Sequence, residues 1–187
     1  MKQQPATLGR FVVRVLIWLP AVFLVWYGLA RWLNIPVAYA LQTLYDEFFP
    51  GLVRDVLFLP SGLRIDSNLG GGESVAVNPL IYGYGFPMVL ALTLAGFGEF
   101  SRRLFMSAVG VLLYMPVQIY GSYFDGLRKL EFDLASALGG SLFALEWKRE
   151  ALVLAYQIGF LILPGVTAIL IWVILNADSL KVLAKKE

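Results

Sequence analysis

The chain has 187 residues, of which 59% are hydrophobic and 15% charged, with a formal net charge of +2. A soluble domain is about 45–50% apolar even on a count that includes Gly; a soluble fold of this size cannot hide the surplus, whereas a bilayer solvates it. The small net charge gives no ground for nucleic-acid binding, and the absence of both Cys and His removes thiol nucleophiles, imidazole bases, disulfides and the usual zinc or haem ligands.

Carboxylates, hydroxyls, Lys and Arg remain for any chemistry, and no cofactor or metal is expected. The fold class this predicts is an all-α integral membrane protein with about four transmembrane helices. A small extracytoplasmic β-hairpin or sheet and short amphipathic helices complete it, all in one membrane domain over 1–187.

The first apolar tract is free of charge from Val15 to Ala30 and, with its flanks, gives a span at about 11–33. A crossing helix needs about 20 apolar residues at 1.5 Å rise each. Pro20 is tolerated inside it as a kink. The sequence Ala38-Tyr39-Ala40 resembles a small-residue cleavage site behind a signal-type run, so removal after Ala40 is the minor alternative to a retained helix.

The outer segment 34–78 follows. Val37, Ala40, Leu41, Leu44 and Phe48 recur at helical spacing, which predicts a short amphipathic helix over 36–49 on the membrane surface. Val56–Leu59, Leu63–Leu69 and Ser74–Asn78 read as strands. Leu63, Ile65 and Ser67 alternate with Arg64, Asp66 and Asn68, and Gly70, Gly71 and Gly72 supply a turn.

The second span is predicted at 79–98, with Pro79 opening the helix. Its start, from Asn78 to Pro87, carries Tyr82, Gly83, Tyr84 and Gly85. These suit either an aromatic belt with close backbone approach or a docking surface for another membrane protein. The third span is predicted at 104–124, with Pro116 as a kink and Gln118 inside it. The outer segment 125–150 reads as an amphipathic helix around Leu127–Leu138 and a break at Gly139-Gly140. The last span is predicted at 151–177, with Gln157 inside and Pro164 as a kink. An amide in hydrocarbon seeks a partner, so Gln118 and Gln157 either bond each other or nearby helix groups, or reach a partner helix or a substrate peptide.

Trp147-Lys148-Arg149-Glu150 precedes the last span, as an interfacial anchor or a partner contact. The outer carboxylates are Asp46, Glu47, Asp55, Asp66, Glu73, Asp125, Glu131, Asp133, Glu146 and Glu150. None has a catalytic or calcium-binding spacing, and a solvated face is the simpler reading.

Orientation follows from Lys and Arg near the spans. Lys2, Arg10, Arg14, Arg102, Arg103, Lys181, Lys185 and Lys186 fall in 1–14, 99–103 and 176–187. Arg31, Arg54, Arg64, Arg128, Lys129, Lys148 and Arg149 are spread thinly over 31–78 and 125–150. Both termini are therefore expected in the cytoplasm.

Four segments carry a family resemblance: FVVRVLIWLP with VWYGLA near the start, FPGLV at Phe49–Val53, NPLIYGYGFPMVLAL at Asn78–Leu92, and WKREALVLAYQIGFLILP at Trp147–Pro164. Together they resemble the exosortase H-associated membrane proteins, from about Arg10 to Asn176. Such proteins accompany an exosortase, a transpeptidase-like cysteine enzyme of the Gram-negative inner membrane. That enzyme processes proteins bearing a short motif, a hydrophobic helix and a basic tail at the C-terminus. The resemblance implies a non-catalytic accessory role in the inner membrane, binding the exosortase or the C-terminal sorting helix of its substrates. The exosortase's Cys has no counterpart in this chain.

The candidate partner-binding residues are Asn78, Tyr82, Gly83, Tyr84, Gly85, Gln118, Trp147, Arg149, Glu150, Tyr156 and Gln157. The bilayer and a membrane-protein partner are the expected contacts. A membrane enzyme using outer carboxylates, or less readily a subunit of a small transporter, are the alternatives.

Overall fold

The computed structural model describes residues 8–96, 98–143 and 145–177. The Lys181–Lys186 tail and Lys2 lie outside the described residues. The elements in chain order are α1 (Leu8–Phe48), β1 (Val53–Leu59), β2 (Gly62–Ser67), β3 (Ser74–Val77), α2 (Leu80–Gly83), α3 (Gly85–Ala95), α4 (Phe100–Lys129), α5 (Glu146–Gln157) and α6 (Leu163–Leu175). A π turn over Leu130–Ala135 prolongs α4, and another over Ile158–Ile162 joins α5 to α6.

Three helical stretches are long and apolar enough to cross a bilayer: Gly9–Leu29, Phe100–Ala135 and Glu146–Leu175. They correspond to the first, third and fourth predicted spans. The second tract comes out shorter. It is interrupted at Tyr84, and the apolar helix over Leu80–Ala95 is about 24 Å long, below the roughly 30 Å of a hydrocarbon core. Most of α3 is buried, including Phe86, Val89, Ala91, Thr93 and Leu94. A helix lined by protein on most sides needs neither the length nor the exposure of one solvated by lipid.

Prolines do not end these helices. Helix α1 runs unbroken for 41 residues, about 60 Å, through Pro20 and Pro36. The separate surface helix expected over 36–49 is therefore its continuation. Its apolar face meets protein, because Val37, Leu41 and Tyr45 are fully buried in one cluster with Leu63, Ile65 and Val77. That burial outweighs the single hydrogen bond a proline removes. In the same way the helix expected at 127–138 is a continuation of α4. The break at Gly139-Gly140 is present, with Gly139 at φ 73°. Pro164 lacks an N–H and its ring presses on the carbonyl four residues back; we attribute the π turn immediately before it to that demand.

The chain forms two compact units. The first comprises the described parts of 1–28, 84–114 and 165–187. Here Val22 packs with Ala91 and Leu94, and the rings of Phe11 and Trp172 stack at 5.0 Å. The hydroxyls of Thr93 and Ser107 hydrogen-bond at 2.7 Å, and Arg103 Nη1 donates to the Leu94 carbonyl at 2.8 Å, closing the end of α3.

The second unit comprises 29–83 and 115–164. It contains the predicted sheet, three antiparallel strands in the order β1-β2-β3. The register sets Val56 against Ile65, Phe58 against Leu63, Leu63 against Val77 and Ile65 against Val75. One face is thus apolar and packs on α1, as the period of two requires. Each border is met by a side chain at a backbone group. The Val56 N–H of β1 donates to Gln42 Oε1 at 2.7 Å, and Lys129 Nζ donates to the Ala76 carbonyl of β3 at 2.6 Å.

Candidate functional site

The functional candidates within the second unit divide into a buried set and an exposed set. Gln118 is 1% exposed, and its Nε2 donates at 3.2 Å both to Asn34 Oδ1 and to the Pro79 carbonyl. These bonds join α1, the start of α2 and α4. Gln157 is exposed on α5, so Gln118 bonds nearby groups, as one of the two expectations had it, and does not meet Gln157. Gln118 Oε1 and Ser122 Oγ, one turn apart on α4, are buried with no hydrogen-bond partner among the described residues.

Asn78 starts the next helix. Its Oδ1 accepts from the Leu80 N–H at 3.1 Å, ahead of Pro79, and so caps α2. Tyr82 follows, buried, and its hydroxyl is bonded to the Asp125 carboxylate. Its ring lies where a Cβ on Gly121 would stand, so α2 approaches α4 only because that position has no side chain. Gly83 is buried too. Tyr84 and Gly85 belong to the first unit, where Tyr84 is 39% exposed and Gly85 is buried beneath Tyr114.

Three of the carboxylates expected on the outer side are buried, contrary to the expected solvated face. Asp66, 6% exposed, is 2.9 Å from Arg64 Nε and 3.4 Å from Arg54 Nη2. Asp125, 3% exposed, is 3.2 Å from Lys129 Nζ and 3.4 Å from Arg128 Nη2. Glu131 has no exposure: Ser141 Oγ donates to Oε1 and the Leu142 N–H to Oε2, both at 2.6 Å, and Arg149 Nε stands 2.8 Å from Oε1. A buried carboxylate without such partners would be driven to its neutral form. Each has a basic side chain beside it. Asp55 is exposed beside Arg54, and Asp46, Glu47, Glu73, Asp133, Glu146 and Glu150 are exposed.

Tyr45 was not singled out by sequence. It is fully buried, and its hydroxyl donates to the Tyr123 carbonyl at 3.1 Å. Burial, then Tyr123 and Asp125, pushes that hydroxyl well above the ordinary phenol range. Its place in the Val37-Leu41-Tyr45 stripe was the available signal.

On α5 the remaining candidates divide: Trp147 and Glu150 are exposed, and Arg149 and Tyr156 are half-buried. Trp147 is 62% exposed with Lys148 Nζ 5.9 Å from its ring centroid, and Glu150 is exposed. Tyr156 carries the Arg128 guanidinium 4.9 Å above its ring and stacks on Phe160. Arg149 is held inward by Glu131 and lies over Phe132.

The family model described as exosortase H-associated membrane protein matches residues 5–179. The chain belongs to that family. No curated protein and no solved structure matches it. The family's name associates the chain with an exosortase system and a membrane, in agreement with the three candidate spans.

Proposed function

We propose that the chain is a non-catalytic accessory protein of an exosortase-type sorting system in the bacterial inner membrane, binding the exosortase or the C-terminal sorting helix of its substrates. The observation that carries this reading is the family match over residues 5–179. The chemistry of the chain supports it: the sequence has neither Cys nor His, and the three carboxylates buried among the described residues are each held by basic side chains.

The partner contact falls to surfaces that the fold leaves open. Gln118, Gly121 and the sheet borders serve internal contacts. Trp147, Glu150 and Gln157 remain on the surface of α5, and the spans carry exposed apolar side chains such as Leu24, Leu112 and Ile174. Membrane helices associate through such faces by close packing.

In this reading Leu80–Ala95 is a fourth crossing, its short length allowed by the protein that lines most of α3. Both termini are cytoplasmic, and 34–78 and 125–150 are extracytoplasmic. Co-purification of the tagged chain in mild detergent, from cells holding an intact sorting system, tests the role. An exosortase or a sorting-tagged substrate should be recovered with it. Recovery of the chain alone would overturn the proposal.

A further inference from the structure

A cavity of about 570 Å³ lies in the second unit, between the end of α1, α4 and α5. Phe49, Phe124, Leu127, Ala151 and Leu152 give it apolar walls, and Lys148 is the one charged side chain that lines it among the described residues. We propose that this cavity takes one acyl chain of an anionic phospholipid from the surrounding bilayer, with the headgroup phosphate at Lys148.

The walls select an apolar guest, and the volume selects its shape. Ligand cavities run to about 300–1,000 Å³. A helix about 10 Å across fills roughly 420 Å³ per turn, so the cavity admits little more than one turn of a partner helix. An extended peptide would bring backbone N–H and C=O groups to walls that offer them almost no partners. A hydrocarbon chain is slim and makes no such demand.

The bilayer is the source that the helix itself indicates. Helix α5 lies in the candidate span Glu146–Leu175. Ala151 and Ala155, which line the cavity, are followed along the same stripe by Ile158 and Ile162, 41% and 52% exposed. An exposed apolar surface thus runs from the π turn along α5 up to the mouth. The small alanine side chains leave depth where a larger residue would close it.

Charge selects the headgroup. Arg149 is engaged by Glu131, and Arg128 and Lys129 by Asp125. Lys148 is exposed and has no ion pair among the described residues. One lysine at a membrane surface favours an anionic over a zwitterionic lipid by about five-fold.

Photolabelling tests this with the full chain in vesicles of phosphatidylcholine and phosphatidylglycerol at about 4:1. A trace of either lipid carries a diazirine in its acyl chain, and labelled peptides are mapped by mass spectrometry. Label from phosphatidylglycerol at Phe124–Leu127 and Ala151–Leu152 should exceed that from phosphatidylcholine about five-fold. Lys148→Gln should bring the two to parity, and Ala151→Phe should remove label from the cavity while Ile162 stays labelled. Equal labelling by the two lipids in the unaltered chain would overturn the proposal, as would cavity label that survives Ala151→Phe. So would the same positions crosslinking in cells to a polypeptide in place of lipid. No exosortase enters the assay, so its result stands apart from the co-purification.

Discussion

Arg149 Nε stands 2.8 Å from Oε1 of Glu131, a carboxylate with no exposed surface, although the arginine side chain itself is 36% exposed. Removing the arginine leaves a charge in the interior with two neutral donors. Loss of one partner of a buried pair costs about 3–5 kcal/mol, and partial access of water to this site puts Arg149→Met near the low end. Unfolding in detergent, followed by tryptophan fluorescence, should give a loss of about 3 kcal/mol. Glu131→Leu added to Arg149→Met should recover part of it, since no unpaired charge then remains.

Tyr45 should give the protein an alkaline limit. Its raised hydroxyl pKa means the folded chain keeps a proton that the unfolded chain releases near pH 10. The contribution is complete below pH 10 and shrinks as pH rises from there toward the folded value. Tyr45→Phe should cost about 1 kcal/mol at pH 7 through the lost bond to Tyr123. The variant's unfolding free energy should then fall less steeply above pH 10 than that of the unaltered chain. Parallel slopes would show that another group sets the limit.

Close approach to α4 depends on positions without a side chain. A Cβ on Gly126 would collide with the Tyr45 hydroxyl and Ile65 Cδ1, and one on Gly121 with the Tyr82 ring. Gly126→Ala and Gly121→Ala should each lower stability by about 1–3 kcal/mol. Gly28, inside α1 with open space around it, provides the control. Gly28→Ala should be neutral or stabilising by a few tenths of a kcal/mol, because Ala is the better helix former. Thermal melts of the three variants check the contrast.

Gln42 holds the Val56 N–H at 2.7 Å. Gln42→Ala should leave that amide to solvent, with a stability loss of about 1 kcal/mol. Hydrogen exchange at Val56 should accelerate, while Leu57, paired within the sheet, should change little. Uniform acceleration across β1 would mean instead that the whole strand had loosened.

Two neighbours on α4 should respond in opposite ways. Ser122 Oγ is buried with no hydrogen-bond partner among the described residues, so Ser122→Ala removes an unmet polar group and should be neutral or slightly stabilising. Gln118→Leu deprives Asn34 Oδ1 and the Pro79 carbonyl of a donor and should cost about 2 kcal/mol. Denaturation of the two variants side by side measures both.

Sequence revealed the features governed by local pattern. The charge-free tracts stood out because lipid imposes a length, and the sheet because Leu63 and Ile65 alternate with polar residues ahead of three glycines. Helix α1 was misread at Pro36 because proline is a local stop signal, whereas the burial of Val37, Leu41 and Tyr45 that overrides it is tertiary. The end of the third apolar tract suggested a helix end for a similar reason. Gln118, Ser122 and Asp125 look like a polar exit, yet all three turn into the protein.

The candidate site was less legible. Glu131 and Arg149 are separated by eighteen positions, and Gln118 meets Asn34 across eighty-four. A single chain offers no trace of such pairings. Glu131, read as solvated, is buried because its cation, Arg149, comes from another segment, whereas Asp66 and Asp125 are turned inward with cations close by in sequence. The second tract fell short because Tyr84 interrupts it and protein surrounds most of α3, a matter of neighbours and not of composition.

Membrane proteins are concentrated in two dimensions, where repeated encounters favour any surface able to template its own copy. A short sheet is such a surface when its rim is bare, since each added strand presents the next one with the same ladder. Here Gln42 and Lys129 each occupy one backbone group of that rim from within the chain, one on each side. Crowding should then drive this protein toward side-chain and lipid-mediated association, and not toward strand-by-strand growth into fibres.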